Sequence, residues 1–228
     1  MNSAIIVAAG SSQRMGFDKL MAPLCGRPVV VHSLDHFERS GAVDEVILVI
    51  RPERELEFAK IIRDYNFRKI TRIVPGGTER HFSVWNGMAV LSAGFRLVAV
   101  HDAARPLVSP RLINEVFKLA SEQGAVSLAA PMVETLKRAG SDHWVVESVD
   151  RTNLWGMQTP QVFRLDWLRE AYQRVIGAGQ SVTDEVSALQ EAGFPVQLMS
   201  NSDWNVKITF PRDLELAEKL IKLDEIDY

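Results

Sequence analysis

Ala4-Ile5-Ile6-Val7-Ala8-Ala9-Gly10-Ser11-Ser12-Gln13-Arg14-Met15-Gly16, with Lys19 just beyond, is the stretch whose reading decides the fold. Ala4 to Val7 is a short apolar run and reads as a buried strand. The strand empties into small residues, which let backbone N–H groups crowd around an anion that larger side chains would hold away. Arg14 and Lys19 bring two cations to the same place. The stretch therefore reads as a loop that grips a polyphosphate. It is not a Walker loop, because Gly16 is followed by Phe17 rather than Lys. It is not a dinucleotide fingerprint either, because the residue two after Gly10 is Ser12.

Outward from that stretch, strand-like and helix-like segments alternate. Val46 to Ile50, Ile70 to Val74, Leu97 to Val100 and Ala125 to Ala130 read as further buried strands. Helices are expected over Val29 to Arg39, Glu53 to Tyr65 behind Pro52, Glu79 to Leu91 with Thr78 as cap, and Pro110 to Gln123. This alternation implies an α/β fold with a mainly parallel sheet covered by helices on both faces. It fails between Pro131 and Phe163. There the polar turn Lys137 to Asp142 lies between extended-looking Glu134 to Leu136 and Trp144 to Val146, which suggests a projecting β-arm at about 131–153. Helical pattern returns at Leu165 to Val175, Asp184 to Ala192 and Pro211 to Leu223, with a strand at Pro195 to Met199. One domain over 1–228 is expected, without repeats or low-complexity linkers.

Composition removes several function classes. A net charge of −3 supplies no basic field for nucleic acid. One cysteine, Cys25, cannot form an internal disulfide, and no Cys/His spacing suits a metal. No signal peptide is read at the N-terminus, and no apolar run approaches the roughly 18–20 residues of a membrane span. A cytoplasmic enzyme is expected.

In open parallel sheets, ligands bind beyond the carboxyl ends of the strands. Three clusters fall there: Gly10 to Lys19, Gly76 to Ser83, and Asp102 to Arg105. Arg14 and Lys19 suit the charge that develops when a phosphorus centre is displaced. Asp102 is placed to hold Mg²⁺ through oxygen, directly or through water. Gly77 permits close backbone approach, Ser83 offers a hydroxyl, and Arg80 sits on a first helical turn. Lys207 lies in the strand-like Asn205 to Thr209, where a lysine calls for a polar partner or an anion. His101 reads as a packing residue.

Taken together and in order, these motifs resemble a known family. Ala8-Ala9-Gly10, Arg14-Met15-Gly16, Lys19, Pro23-Leu24 and Gly26-Arg27-Pro28 resemble nucleotidyltransferases that activate sugar and polyol phosphates. Gly76-Gly77-Thr78-Glu79-Arg80, Ser83-Val84 and Val100 to Pro106 narrow this to the cytidylyltransferases. Thr135-Leu136-Lys137, Asp150-Arg151, Leu154-Trp155, Gln158 to Gln161, Thr183 to Glu185 and Asn205 to Thr209 are similar to the 2-C-methyl-D-erythritol 4-phosphate cytidylyltransferases of the non-mevalonate isoprenoid pathway. The resemblance implies a Rossmann-like nucleotidyltransferase fold and a homodimer joined by the β-arm. It implies CTP and methylerythritol 4-phosphate as substrates, with in-line attack of the substrate phosphate on the α-phosphorus. It implies Arg14, Lys19, Arg151 and Lys207 as catalytic residues, and Ala8, Ala9, Gly10, Gly77, Arg80, Ser83, Asp102 and Ala103 around the nucleotide. Thr135, Arg151, Thr159, Asp203 and Lys207 would meet the polyol phosphate, Thr135 and Arg151 from the neighbouring subunit. A divalent cation, usually Mg²⁺, would be held largely by the triphosphate and near Asp102. The chain departs from the family pattern in having only four residues between Arg14 and Lys19, Glu134 where aspartate is common, and Gly156-Met157 before Gln158. Ribitol 5-phosphate as the alternative acceptor and a non-catalytic CTP-binding sensor share the nucleotide half of this reading.

Overall fold

A computed structural model describes residues 1–91 and 94–224, apart from the side chains of Gln13 and Asp224. Its sheet is built from β1 (Asn2–Ala8), β4 (Glu45–Ile50), β5 (Ile70–Pro75), β6 (Leu97–Asp102), β7 (Ala125–Pro131), β10 (Trp155–Arg164) and β11 (Gln197–Ser200). Two short pairs lie outside it: β2 (Pro23–Leu24) with β3 (Arg27–Pro28), and β8 (Leu136–Ala139) with β9 (Val145–Val149). The helices are α1 (Val29–Arg39), α2 (Glu55–Asp64), α3 (Arg80–Ala89), α4 (Pro110–Gln123), α5 (Leu165–Gly177), α6 (Glu185–Glu191) and α7 (Pro211–Asp224).

The sheet order is β11-β7-β10-β6-β1-β4-β5. Strands β1, β4, β5 and β6 are mutually parallel, and β11 is parallel to β7. Strand β10 runs against both β6 and β7. Along β1, Ala4, Ile6 and Ala8 face one apolar layer and Ile5 the other, which is the two-residue period of a strand buried on both sides. Helices α1, α2 and α4 cover the first face through Phe37, Phe58 and Phe117. Helices α3, α5 and α6 cover the second through Met88, Tyr172 and Leu189. The chain runs outward from β1 to β4 and β5, then returns to β6 on the other side of β1. The order therefore reverses between β1 and β6, and the crevice beyond those two strands is where a ligand is expected.

Several expectations need correction. Strand β10 was not expected at all, since Pro160 and the polar Gln158 and Gln161 disguise it. Thr78 does not cap α3. The helix starts one residue later, behind Glu79, and the Ser83 hydroxyl takes the Gly77 N–H at 3.1 Å. Pro52–Arg54 form a 3₁₀ turn ahead of α2. Asn205 to Thr209 is not a strand. Its alternation is overridden by bonds from the Arg105 guanidinium to the Asn205 carbonyl and from the Ile208 N–H to the Ala104 carbonyl, both 2.8 Å. The arm is present as the β8–β9 hairpin, with strands a few residues later than expected. Among the described residues no helix is long and apolar enough to cross a membrane.

Candidate active site

A cavity of about 330 Å³ opens at the reversal point between β1 and β6. Ala8, Ala9 and Gly10 form one wall, and Gly77, Arg80 and Ser83 face them. Gly76 and Gly77 are required by crowding: a Cβ there would stand 2.4 Å from the Ala9 Cβ and 2.3 Å from the Phe82 Cβ, respectively. At Gly10 a Cβ would meet nothing within 4 Å, so the room in front of that backbone is open to a ligand. Lys19 lines the same cavity and donates to the Ile208 carbonyl at 2.8 Å. Burial, with the nearby charges of Lys207 and Arg14, lowers the Lys19 pKa from its ordinary value.

A second recess of about 280 Å³ lies beside the first and includes Thr159, Gln158, Thr183 and Arg105. Arg80, Asp102 and Lys207 line both, and so form a shared wall. Asp102 ends β6 and is almost buried. Its Oδ2 is 2.8 Å from the Lys207 ammonium and 3.6 Å from Arg105 Nε, and its Oδ1 is 3.4 Å from Arg80 Nε. Burial opposes its ionisation, but Arg80, Lys207 and Arg105 outweigh it and hold the carboxyl well below the usual carboxylate range.

The β10 register explains how Asp102 is aimed. Pairing with β6 extends to Gln161 opposite Val100, and pairing with β7 shifts between Met157 and Gln161. Such a bulge re-aims side chains beside it. The Thr159 hydroxyl takes over as acceptor for the Asp102 N–H at 3.1 Å. His101 is wholly buried, and burial pushes its pKa down to about 3, so the ring is neutral. Its Nε2 lies 3.3 Å from the Arg105 carbonyl, which requires the proton there, and Nδ1 then accepts from the Thr159 hydroxyl at 3.1 Å. Gln158 Oε1 accepts from Asn201 and Asn205, and Asn205 also donates to the Thr159 carbonyl at 2.8 Å. These bonds tie the segment carrying Lys207 to β10.

The two recesses thus gather Ala8, Ala9, Gly10, Lys19, Gly77, Arg80, Ser83, Asp102, Thr159 and Lys207. Arg14 stands outside, its guanidinium 5.8 Å from the Phe210 ring centre. Ala103 is beneath the wall, buried, with its N–H on the Val7 carbonyl, and Ala104 lines the cavity instead. Asp203 pairs with Arg111 at 2.8 Å on the surface. Thr135 and Arg151 belong to the arm and line neither recess of their own chain. Arg151 donates to the Val133 carbonyl. Sequence reading assigned no role to Arg105, Gln158, Asn201, Asn205 or Glu185. Arg105 was marked by its position after β6, and Gln158, Glu185 and Asn205 by the motifs quoted for the resemblance, whereas Asn201 carried no signal.

Among the described residues no group of three or more His, Cys, Asp or Glu is arranged to hold a metal ion. A single ionised carboxylate, Asp102, reaches the shared wall, and its Oδ1 has only long contacts. That suits a cation carried in by a phosphate ligand better than one caged by the protein.

Comparison with known proteins gives a consistent result. The family model of 2-C-methyl-D-erythritol 4-phosphate cytidylyltransferase, IspD, matches residues 2–223. The chain is 41% identical over 223 residues to the 2-C-methyl-D-erythritol 4-phosphate cytidylyltransferase of Pelotomaculum thermopropionicum, covering 96% of this chain and 94% of that one. It is 39% identical over 224 residues to that of Alkaliphilus oremlandii, with 96% and 94% covered. Among solved structures it is similar to the 4-diphosphocytidyl-2C-methyl-D-erythritol synthase of Anaerococcus prevotii, with a TM-score of 0.85 at 29% identity, covering 97% and 96%. It is also similar to the Francisella tularensis 2-C-methyl-D-erythritol 4-phosphate cytidylyltransferase, with a TM-score of 0.82 at 31% identity, covering 96% and 99%.

Proposed function

Because the chain belongs to the 2-C-methyl-D-erythritol 4-phosphate cytidylyltransferase family, we propose that its two recesses divide the substrates of that reaction between them. CTP occupies the cavity of Ala8 to Gly10 and Gly77, and methylerythritol 4-phosphate the recess of Thr159 and Thr183. The observation that carries this is the shared wall of Arg80, Asp102 and Lys207, since a two-substrate transfer needs its charged groups where the two pockets meet. A substrate phosphate oxygen attacks the α-phosphorus of CTP. The new P–O bond forms as the bond to the bridging oxygen of pyrophosphate breaks. Both reactants are anions, so catalysis consists largely of cancelling repulsion and stabilising equatorial and leaving-group charge. Lys207 steadies the attacking phosphate, and Lys19 with Arg14 stabilises the leaving pyrophosphate. Arg14 stands near enough to Lys19 to act on its charge. A divalent cation such as Mg²⁺, when bound with the triphosphate, would supply further neutralisation of the phosphate charge. Asp102 is the side chain that would meet it, through water.

The arm completes the site in a homodimer. Val133, Trp144, Val145 and Val146 are each more than 60% exposed on or beside a two-stranded hairpin, a surface that asks for cover. Covered by a second copy, the arm delivers Thr135 and Arg151 to the neighbouring recess. Residues 1–228 act as one domain, since a single sheet takes strands from Asn2 to Ser200. The single cysteine supports a cytoplasmic location.

Two measurements test this. Pyrophosphate release with CTP and Mg²⁺ should occur with methylerythritol 4-phosphate and not with ribitol 5-phosphate; the reverse preference would overturn the acceptor. Arg151→Ala and Lys207→Ala variants, each nearly inactive, should regain activity when co-refolded. Random pairing leaves about one site in four with both residues intact. Failure to complement, with mixed dimers demonstrated, would remove the shared site.

A further inference from the structure

Glu185 opens α6 and is wholly buried, although acidic residues in a first helical turn are usually solvated. Its Oε1 accepts from Arg80 Nη1 at 2.6 Å and from the Tyr172 hydroxyl at 2.8 Å, and its Oε2 has no partner among the described residues. Arg80 is therefore held between two carboxylates, tightly by Glu185 and loosely by Asp102 at 3.4 Å. Asp102 in turn keeps its short contact, 2.8 Å, for Lys207. Burial works against the Arg80 charge, but Glu185 and Asp102 outweigh it and raise its pKa above the ordinary arginine value. Three cations, Arg80, Arg105 and Lys207, are balanced by two anions, leaving one positive charge at the wall between the recesses.

We propose that Glu185, oriented by Tyr172, is a positioning residue that draws Arg80 away from Asp102, so that Asp102 holds Lys207 where the two substrates meet. This rests on the assignment of the two recesses given above. Without the Glu185 charge, Arg80 has only Asp102 to pair with, closes on it and displaces Lys207. The unpartnered Oε2 means that an isosteric amide can be accommodated without breaking an existing bond at that atom.

The test is a double-mutant cycle on full-length protein, with Glu185→Gln, Arg80→Gln and the pair, reading kcat/KM for methylerythritol 4-phosphate and CTP affinity by calorimetry. Glu185→Gln should lower kcat/KM about tenfold in the Arg80 protein but less than about twofold in the Arg80→Gln background, because residues that act through one another are not additive. The loss should appear more in KM for the polyol phosphate than in CTP affinity. A purely structural role would also be non-additive, because Arg80 and Glu185 are in contact at 2.6 Å, but it would lower CTP affinity as much as it raised KM for the polyol phosphate; equal losses in the two, or no loss at all, would overturn the inference. If Glu185→Gln does not fold, Tyr172→Phe takes its place in the cycle, with an expected loss of about threefold and the same non-additivity. Wild-type protein that neither binds CTP nor releases pyrophosphate would overturn the recess assignment and this inference together. An active wild type with additive variants would overturn this inference alone.

Discussion

Lys19→Ala is expected to slow the chemical step by about 10²–10³ while leaving CTP affinity within a few-fold, since removing one preorganised donor to developing charge costs roughly that factor in rate. The geometry behind this is a lysine that lines the cavity proposed for CTP, held by the Ile208 carbonyl rather than by a carboxylate. Among the described residues its charge is thus not already spent on an ion pair. Rapid-quench measurement of the single-turnover rate, beside calorimetry with CTP, separates the two quantities. Equal losses in rate and affinity would assign Lys19 to ground-state binding instead. A pH signature accompanies the effect. Burial and the neighbouring Lys207 and Arg14 charges lower the Lys19 pKa, so the free enzyme loses this proton earlier than an ordinary lysine would. The profile of kcat/KM for CTP reports the free enzyme. Its alkaline limb should therefore fall below the usual lysine range, and should vanish in Lys19→Arg, whose charge persists.

Asp102→Asn should be the most destabilising conservative change in the site, costing about 2–3 kcal/mol, because it removes the common partner of Arg80, Arg105 and Lys207, although Arg80 keeps Glu185 and Lys207 is part-exposed. Denaturant unfolding of the two proteins gives the difference directly, and a loss below about 1 kcal/mol would mean that solvent reaches the cluster freely. The acid dependence has a definite sign. The folded-state pKa of Asp102 is depressed, so the stability it confers is complete above its unfolded value and is lost as pH falls toward the folded one. The gap between wild type and variant should be full above about pH 5 and narrow below about pH 4. A gap that widened in acid would contradict the ion-pair account.

The parallel half of this fold was readable because β1, β4 and β6 are apolar on both faces, and such runs have few other interpretations. Ligand loops at their carboxyl ends followed from topology. Strand β10 was hidden because it carries Pro160 and two glutamines in the middle of a sheet, and only its pairing with β6 and β7 makes them tolerable. Asn205 to Thr209 erred the other way. Its alternation looks like a strand, yet Arg105 and Asn205 hold it as an irregular strap. Local pattern reports propensity, and here long-range hydrogen bonds decided the outcome. The same limit concealed what Glu185 does, since its partners Arg80 and Tyr172 are distant in sequence. Arg14 and Lys19 were legible as cations near a small-residue loop. That one would rest on an aromatic ring and the other on a carbonyl was not.

Trp155 is paired directly opposite Pro131, so the chain leaves the sheet and comes back to it at a single rung. Everything between those residues is a closed detour. Residues can be added to it or taken away in hairpin pairs without shifting the register of any strand in the sheet, and lengthening such a loop costs little in closure entropy. The span of the arm is therefore an independently adjustable length. In the proposed dimer, reach toward the second copy can drift over evolution, or be tuned by design, while the sheet behind Pro131 and Trp155 stays as it is.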